Sequence, residues 1–188
     1  MNFDFKKIIQ NELLPNERII WQGVPCLAKI FTKADFFLIP FSVLWGGFAI
    51  YHTIEDTLIY GSPGLFGIPF AVLGAYLILG RFIAKNARKR STIYAVTNMR
   101  ILVIRANSKG LKKSIASAKI KTISNESVFC GKNGIGTIIF GTAPFMHSIH
   151  MNTGLDVFSG LLQNAPVAFF DIENCEDVFG TYKNVKYQ

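Results

Sequence analysis

Two long apolar runs constrain the fold of this chain more than any other sequence feature. The first, FFLIPFSVLWGGFAIYHTI, covers residues 36–54 and contains no Asp, Glu, Lys or Arg. The second, GLFGIPFAVLGAYLILGRFIA, covers residues 64–84, and its only charge is Arg81. About 20 apolar residues in a helix cross the hydrocarbon core of a bilayer. Each run therefore predicts a transmembrane helix, with Arg81 close enough to the end to extend toward the lipid headgroups.

The composition of the chain favours a membrane protein over the other classes of protein. Half of the 188 residues are hydrophobic and 17% are charged, with a formal net charge of +8. That charge would suit nucleic acid, but the sequence lacks a helix-turn-helix, zinc-finger or aromatic RNA-binding signature. A soluble protein with two core helices is the other alternative, although core helices are usually shorter and keep a polar stripe. A cleaved signal peptide is not predicted because the first run begins only at residue 36.

The distribution of basic residues predicts how the helical hairpin is oriented. Five Lys or Arg residues precede the first run, none lies within residues 55–63, and the other fifteen begin at Arg81. The positive-inside rule then places both termini in the cytoplasm and residues 55–63 on the opposite side. The predicted organisation is a cytoplasmic segment at residues 1–34, a transmembrane hairpin at 35–85 and a third domain at 86–188.

The third domain has the patterning of β-strands. STIYAVT (91–97) and MRILVIR (99–105), separated by Asn98, predict a hairpin. Seven short strands in all predict a sandwich or barrel. Asn174 and the apolar spacing after it predict a closing helix. Residues 142–166 are predicted to form a long loop. The remaining strand candidates are residues 111–116, 119–124, 126–130, 136–141 and 167–172.

Four motifs, in this order around the apolar runs, resemble those of bacterial pleckstrin-homology (PH) domain membrane proteins. The resemblance covers nearly the whole chain. It implies a PH-like barrel of about seven strands in two sheets, capped by a C-terminal helix, at the cytoplasmic face of the bacterial inner membrane. No catalytic constellation accompanies the resemblance. The motifs are LLPNERIIWQGVP (13–25), YAVTNMRILV (94–103), GIGTIIFG (134–141) and FFDIENCEDVF (169–179).

Basic residues supply the candidate membrane-surface or lipid-headgroup site. A polybasic segment beside a membrane helix attracts anionic lipids. Eukaryotic PH domains bind phosphoinositide headgroups with basic residues, but an ordinary solvated edge is the alternative for the two later lysines. Trp21 is a candidate interfacial anchor, with packing against the barrel as the alternative. Whether residues 17–23 join the β domain or lie on the bilayer stays open. The basic candidates are Lys85, Arg88, Lys89, Arg90, Lys112 and Lys113.

No residue pattern predicts catalysis, a cofactor or a metal site. His147 and His150 are spaced as two ligands on one helical face could be, but no third ligand lies nearby. Cys26, Cys130 and Cys175 are odd in number and far apart, so free cytoplasmic thiols are predicted. The chain is accordingly predicted not to be an enzyme.

The favoured function is a non-enzymatic, membrane-tethered interaction module that recruits a protein or another copy of itself. Tethering raises the effective concentration of such a module without any catalytic site. One alternative is a sensor of lipid headgroups or of the state of the envelope; another is an accessory subunit of a transport or enzyme complex. Membrane lipids and a protein or a second copy are the predicted partners, and nucleic acid is not. The specific partner, lipid, pathway and oligomeric state do not follow from the sequence.

Overall fold

A computed structural model describes residues 5–63, 67–106, 113–142, 151–155 and 166–188. Lys112, His147 and His150 lie outside the described residues, as does most of the predicted loop at 142–166. The chain forms two compact units. The β unit contains Met1–Lys29, Ala87–Phe145 and Leu162–Gln188, and the helical unit contains Ile30–Asn86 and Met146–Leu161.

Two long helices form most of the helical unit, as the apolar runs predicted. Both are long and apolar enough to cross a membrane. Within the most apolar 18-residue stretch of each helix, only 17% and 11% of the residues are buried. Such exposure differs from that of core helices in soluble proteins and is compatible with a membrane environment. Residues 55–60 are helical, so the connection between the two long helices is shorter than the predicted link at residues 55–63. The elements are α2 (Asp35–Tyr60), α3 (Gly67–Ala75), a π-helical segment (Tyr76–Gly80) and α4 (Arg81–Arg90); α1 (Phe5–Gln10) precedes them and belongs to the β unit.

The backbones of α2 and α3 touch at a pair of glycines. A Cβ on Gly74 would lie 2.8 Å from the Gly46 Cα, and a Cβ on Gly46 would lie 3.0 Å from the Gly74 carbonyl oxygen. Thr53 adds a polar contact, because its hydroxyl donates to the carbonyl of Gly67 at 2.9 Å. Small residues at a crossing and hydroxyl-to-backbone bonds are typical of paired membrane helices.

The β unit contains two antiparallel sheets, and no strand pairing joins them within the described residues. They are therefore not closed into the predicted barrel. The four-stranded sheet has the order β1 (Ile19–Gly23), β2 (Thr92–Thr97), β3 (Arg100–Ala106), β4 (Lys113–Lys119). The three-stranded sheet has the order β5 (Glu126–Cys130), β6 (Gly136–Phe140), β7 (Val167–Ile172), and α5 (Cys175–Lys186) follows it.

Most strand predictions are confirmed, and one is wrong. The hairpin at Asn98 is present as β2 and β3. Residues 119–124 were expected to be a strand, but Ile120–Thr122 form a 3₁₀ turn. Three-residue spacing aligns side chains in a 3₁₀ helix, which lets this turn bury both Ile120 and Ile123. The seventh strand is instead β1, which answers the open question about residues 17–23.

The main core of the β unit lies between the inner faces of the two sheets and α5. Phe169 is at its centre and contacts Tyr94 and Phe140 at ring-centroid distances of 4.7 and 5.0 Å. The predicted C-terminal helix is confirmed, and it buries Val178 and Tyr182 in this core. Trp21 is half-buried and packs against Phe169 at 5.7 Å. This contact agrees with the packing alternative, and the role of Trp21 as an interfacial anchor stays a prediction.

Candidate functional site

The first polar cluster joins two of the sequence motifs. Glu17, from the NERIIWQG motif, accepts two hydrogen bonds from Arg100 of the TNMR motif, from Nε at 2.9 Å and from Nη2 at 3.0 Å. Thr97 Oγ1 and the Leu14 N–H also donate to the carboxylate. Asn98 bonds the backbone of the same N-terminal segment through both of its side-chain polar atoms. These motif residues therefore fasten β1 to the β2–β3 turn.

Ionised Glu17 is stabilised by this cluster. Burial opposes ionisation, but the hydrogen bonds from Arg100, Leu14 and Thr97 outweigh it and hold the pKa of Glu17 below its ordinary value of 4.5. A bidentate arginine–carboxylate pair of this kind fixes geometry as well as charge. Both oxygens of the Glu17 carboxylate accept hydrogen bonds from within the chain, so the cluster stabilises the fold.

The second cluster is built around a buried carboxylate, Asp171. Where β7 pairs with β6, two residues of β7, one of them Asp171, lie opposite a single residue of β6, which makes a β-bulge. Asp171 has a left-handed φ of 53°. Such a bulge redirects a side chain inward. Lys29 Nζ lies 3.0 Å from Asp171 Oδ1, and Lys89 Nζ lies 2.7 Å from Oδ2. Lys89 also donates to the carbonyls of Cys26, at 2.9 Å, and of Lys29.

The helical unit contains a further buried ion pair that the sequence did not predict. Arg81 Nη1 donates to Asp35 Oδ1 at 2.6 Å, and both side chains are almost fully buried. Asp35 also accepts hydrogen bonds from the backbone N–H and the hydroxyl of Thr32. The expectation that Arg81 extends toward the headgroups is therefore wrong: a carboxylate at the start of α2 holds its guanidinium inside the protein.

The predicted basic candidates lie in different environments. Lys85 is buried and donates to the Ile30 carbonyl, and Lys89 is buried beside Asp171. Arg88 is half-buried and Arg90 is exposed. Lys113 begins β4, while Lys112 is outside the described residues. Among the described candidates, Lys85 and Lys89 are buried while Arg90 is exposed, so they do not share one environment, and headgroup binding by the six residues stays a prediction. The sequence did contain one sign that Lys85 and Lys89 share the buried side of the helix with Arg81: the three residues are spaced four apart, which aligns them on one helical face.

A third polar cluster couples α5 to β5. Tyr182 Oη donates to Glu126 Oε1 at 2.7 Å, and Lys186 Nζ donates to the same oxygen. Burial opposes ionisation of Glu126, but the bonds from Lys186 and Tyr182 lower its pKa below the ordinary value. Burial, together with this bond to Glu126, raises the pKa of Tyr182.

Acidification should weaken the β unit through Glu126. A carboxyl whose pKa is lowered by folding stabilises the fold above its ordinary pKa of 4.5 and loses that contribution as the pH falls through the lowered value. We expect Glu126→Gln to cost about 1–2 kcal/mol at pH 7 and progressively less as the pH falls below the ordinary pKa of 4.5. Unfolding curves at several pH values measure this, with exposed Glu173→Gln as the control. An equal cost at all pH values would contradict the assignment.

Two cysteines that were predicted to be free thiols form a disulfide. Cys130 at the end of β5 is bonded to Cys175 at the start of α5, with their Cα atoms 5.8 Å apart. A Cβ on Gly136 would lie 2.3 Å from Cys175 Sγ, so glycine is needed there. Cys26 is a free cysteine. The expectation of free thiols relied on the odd number of cysteines, their separation in the sequence and the predicted cytoplasmic location. In the sheet, Cys130 pairs with Gly136 and Gly136 with Ile172, so the end of β5 lies at the same edge as the end of β7, from which α5 begins.

Removing the disulfide should destabilise the β unit only under oxidising conditions. A bond between residues 45 positions apart is expected to contribute about 4 kcal/mol by restricting the unfolded chain. Cys130→Ser should therefore match the wild type in reductant and be less stable in its absence, as measured by chemical unfolding. Cys26→Ser is the matched control. A wild-type stability that does not respond to reductant would contradict this expectation.

The fold and its polar clusters define a two-unit protein with a pair of membrane-length helices and a two-sheet β unit. No group of three or more His, Cys, Asp or Glu side chains in the described part of the chain could hold a metal ion. No protein-family model matches the chain, and no significant match was found among curated proteins or solved structures. The resemblance to bacterial PH-domain membrane proteins remains a prediction.

Proposed function

We propose that this protein is a non-enzymatic, membrane-tethered interaction module. Its two long helices would anchor it in the bacterial inner membrane, with both termini and the PH-like β unit at the cytoplasmic face, where the reducing environment would keep Cys130 and Cys175 as a pair of thiols close enough to form a disulfide on oxidation. The exposure of their apolar side chains supports the anchor, and the basic residues flanking the runs support the orientation. The β unit would recruit a cytoplasmic or membrane protein, or a second copy of this chain.

The observation that carries this proposal is the outer edge of β4. Within the described residues, β4 pairs with β3 alone and ends the four-stranded sheet. Its residues 114–117 are exposed, and three of these four side chains are small: Ser114, Ala116 and Ser117. An extended segment of a partner can add to such an edge by main-chain hydrogen bonds, with little obstruction from side chains.

Lipid sensing is the weaker interpretation of the same domain. It was based on the basic residues after the second apolar run, and two of these, Lys85 and Lys89, donate to backbone carbonyls inside the protein. Their positive charges are already committed to internal contacts. Recruitment through the edge of β4 needs no change in these contacts, so we place it first.

Site-specific crosslinking in intact cells tests the proposal. A photoreactive amino acid would replace Ser117 on β4 and, as a matched exposed control, Glu176 on α5. We expect a reproducible product from position 117 that is absent from position 176 and is lost when Ile115→Lys adds a charge to the same strand. A self-assembled pair would have twice the 21.0 kDa mass of the chain. Equal products from both positions, or none from position 117, would contradict recruitment through β4.

A further inference from the structure

Cys130 and Cys175 connect the strand β5 to the helix α5. Within the described residues, β5 pairs with β6 alone and is an edge of its sheet. The Cα atoms of the two cysteines are 5.8 Å apart, and separations of roughly 4.4–6.8 Å are usual for disulfides. The backbone therefore holds the two side chains where they can bond without rearrangement of the fold.

Contacts other than the S–S bond also place Cys175 beside Cys130. The N–H of Cys175 donates to the carbonyl of Gly134 at 3.0 Å, in the turn that joins β5 to β6. Gly136 pairs with Cys130 in the sheet, and a Cβ on Gly136 would lie 2.3 Å from Cys175 Sγ. The missing side chain at Gly136 thus makes room for the sulfur of Cys175. We expect the two cysteines to stay neighbours as thiols.

The two sulfurs differ in their access to solvent. Cys130 is half-buried, whereas Cys175 is 0% exposed. Oxidation of cysteine follows the exposure of the thiol as well as its ionisation. A small oxidant in solution therefore reaches Cys130 first, and Cys175 is placed to react with the oxidised sulfur.

We infer that Cys130 and Cys175 are a thiol pair that hydrogen peroxide converts to the disulfide. The reducing cytoplasm would supply the two thiols, so this role rests on the proposed function and its orientation. The Cys130 sulfur attacks the peroxide and breaks its O–O bond, which gives a sulfenic acid and one water. The Cys175 sulfur then forms the S–S bond and displaces the sulfenic oxygen as a second water. The thiols lose two electrons and two protons, and the peroxide is reduced to water.

The disulfide changes how α5 is held against β5. At the other end of this contact, Tyr182 and Lys186 bind the side chain of Glu126, which begins β5. With Cys130 and Cys175 as thiols, the start of α5 is held by non-covalent contacts. Local opening of an element is limited by the contacts that must break. Oxidation therefore restricts the opening of α5.

Thiol labelling in intact cells tests the oxidation with the full-length chain. Cells are treated with hydrogen peroxide and quenched with acid, and one maleimide is added before reduction and a heavier one after it. We expect Cys130 and Cys175 to be thiols in untreated cells, a disulfide after peroxide and thiols again after recovery. Cys26, which is also half-buried, is the internal control and should not join a disulfide. Thiols that resist peroxide would overturn the inference alone. A disulfide already complete in untreated cells would contradict the cytoplasmic orientation as well.

Hydrogen exchange of the purified protein in mild detergent tests the effect on α5. Peroxide should slow exchange of the α5 backbone amides by at least about tenfold relative to the protein in reductant. Cys130→Ser removes the sulfur that reacts first, and its exchange should not respond to peroxide. Equal exchange of α5 in the oxidised and reduced wild type would overturn the effect on this helix.

Discussion

Replacing Lys89 with methionine should lower the free energy of unfolding of the β unit by about 3–5 kcal/mol. The ammonium group lies 2.7 Å from Asp171 Oδ2, in a place where Lys89 is 6% exposed and Asp171 is 1% exposed. Methionine fills a similar volume but leaves the carboxylate with Lys29 as its remaining lysine partner. It also removes the donor shared with the carbonyls of Cys26 and Lys29. Most of the loss comes from leaving buried oxygen atoms poorly compensated.

Fluorescence of Trp21 provides the measurement, because this residue packs against Phe169 in the core of the β unit. Trp45→Phe removes the only other tryptophan, so that unfolding by denaturant is followed in this unit alone. Lys119→Met changes an exposed lysine and is the matched control. Adding Asp171→Asn to Lys89→Met should recover part of the loss. Equal stability of Lys89→Met and Lys119→Met would contradict the role given to this cluster.

Replacing Gly74 with leucine should separate α2 from α3. A Cβ at this position would lie 2.8 Å from the Gly46 Cα, and the atom it meets belongs to backbone, which cannot rotate away. The helices must move apart or the side chain must adopt a strained conformation, at a cost of about 2–3 kcal/mol. Close contact between the backbones is the main attraction that small residues provide inside a membrane.

Trp45 reports on this contact because its ring lies 5.6 Å from Phe70 of α3. In a Trp21→Phe background, Gly74→Leu should lower the temperature at which the Trp45 emission changes in mild detergent. Gly47→Leu is the control, since a Cβ there meets no atom within 4 Å. If both variants lower the temperature equally, the effect arises from helix propensity or surface changes, and the crossing at Gly46 and Gly74 is not important.

The sequence predicted the elements better than it predicted the polar contacts. The apolar runs, the hairpin at Asn98 and the C-terminal helix were recognisable because each has a local pattern of period, turn residue or cap. The strand expected at residues 119–124 has the same composition as a real strand. Only its tertiary environment, which buries Ile120 and Ile123 from a turn, distinguishes it.

The polar clusters depend on acceptors that are distant in the chain. Lys89 bonds the carbonyls of Cys26 and Lys29, about 60 residues away, and backbone carbonyls leave no mark in a sequence. Asp171 is recognisable only once the bulge in β7 is known. Arg81 gave a partial signal, since Asp35 directly precedes one apolar run and Arg81 lies three residues before the end of the other. The predicted hairpin makes the two helices antiparallel neighbours and brings these two ends together, so this pair could have been inferred from the sequence.

The native mass of the full-length protein, extracted in mild detergent and analysed together with any co-purifying protein, tests the central claim most directly. A membrane-tethered interaction module should give a discrete species heavier than the 21.0 kDa chain, either a whole-number multiple of it or the chain with one reproducible protein partner. Ile115→Lys should convert that species to the single chain. A single 21.0 kDa chain in the wild type, with no partner retained after crosslinking, would contradict the account.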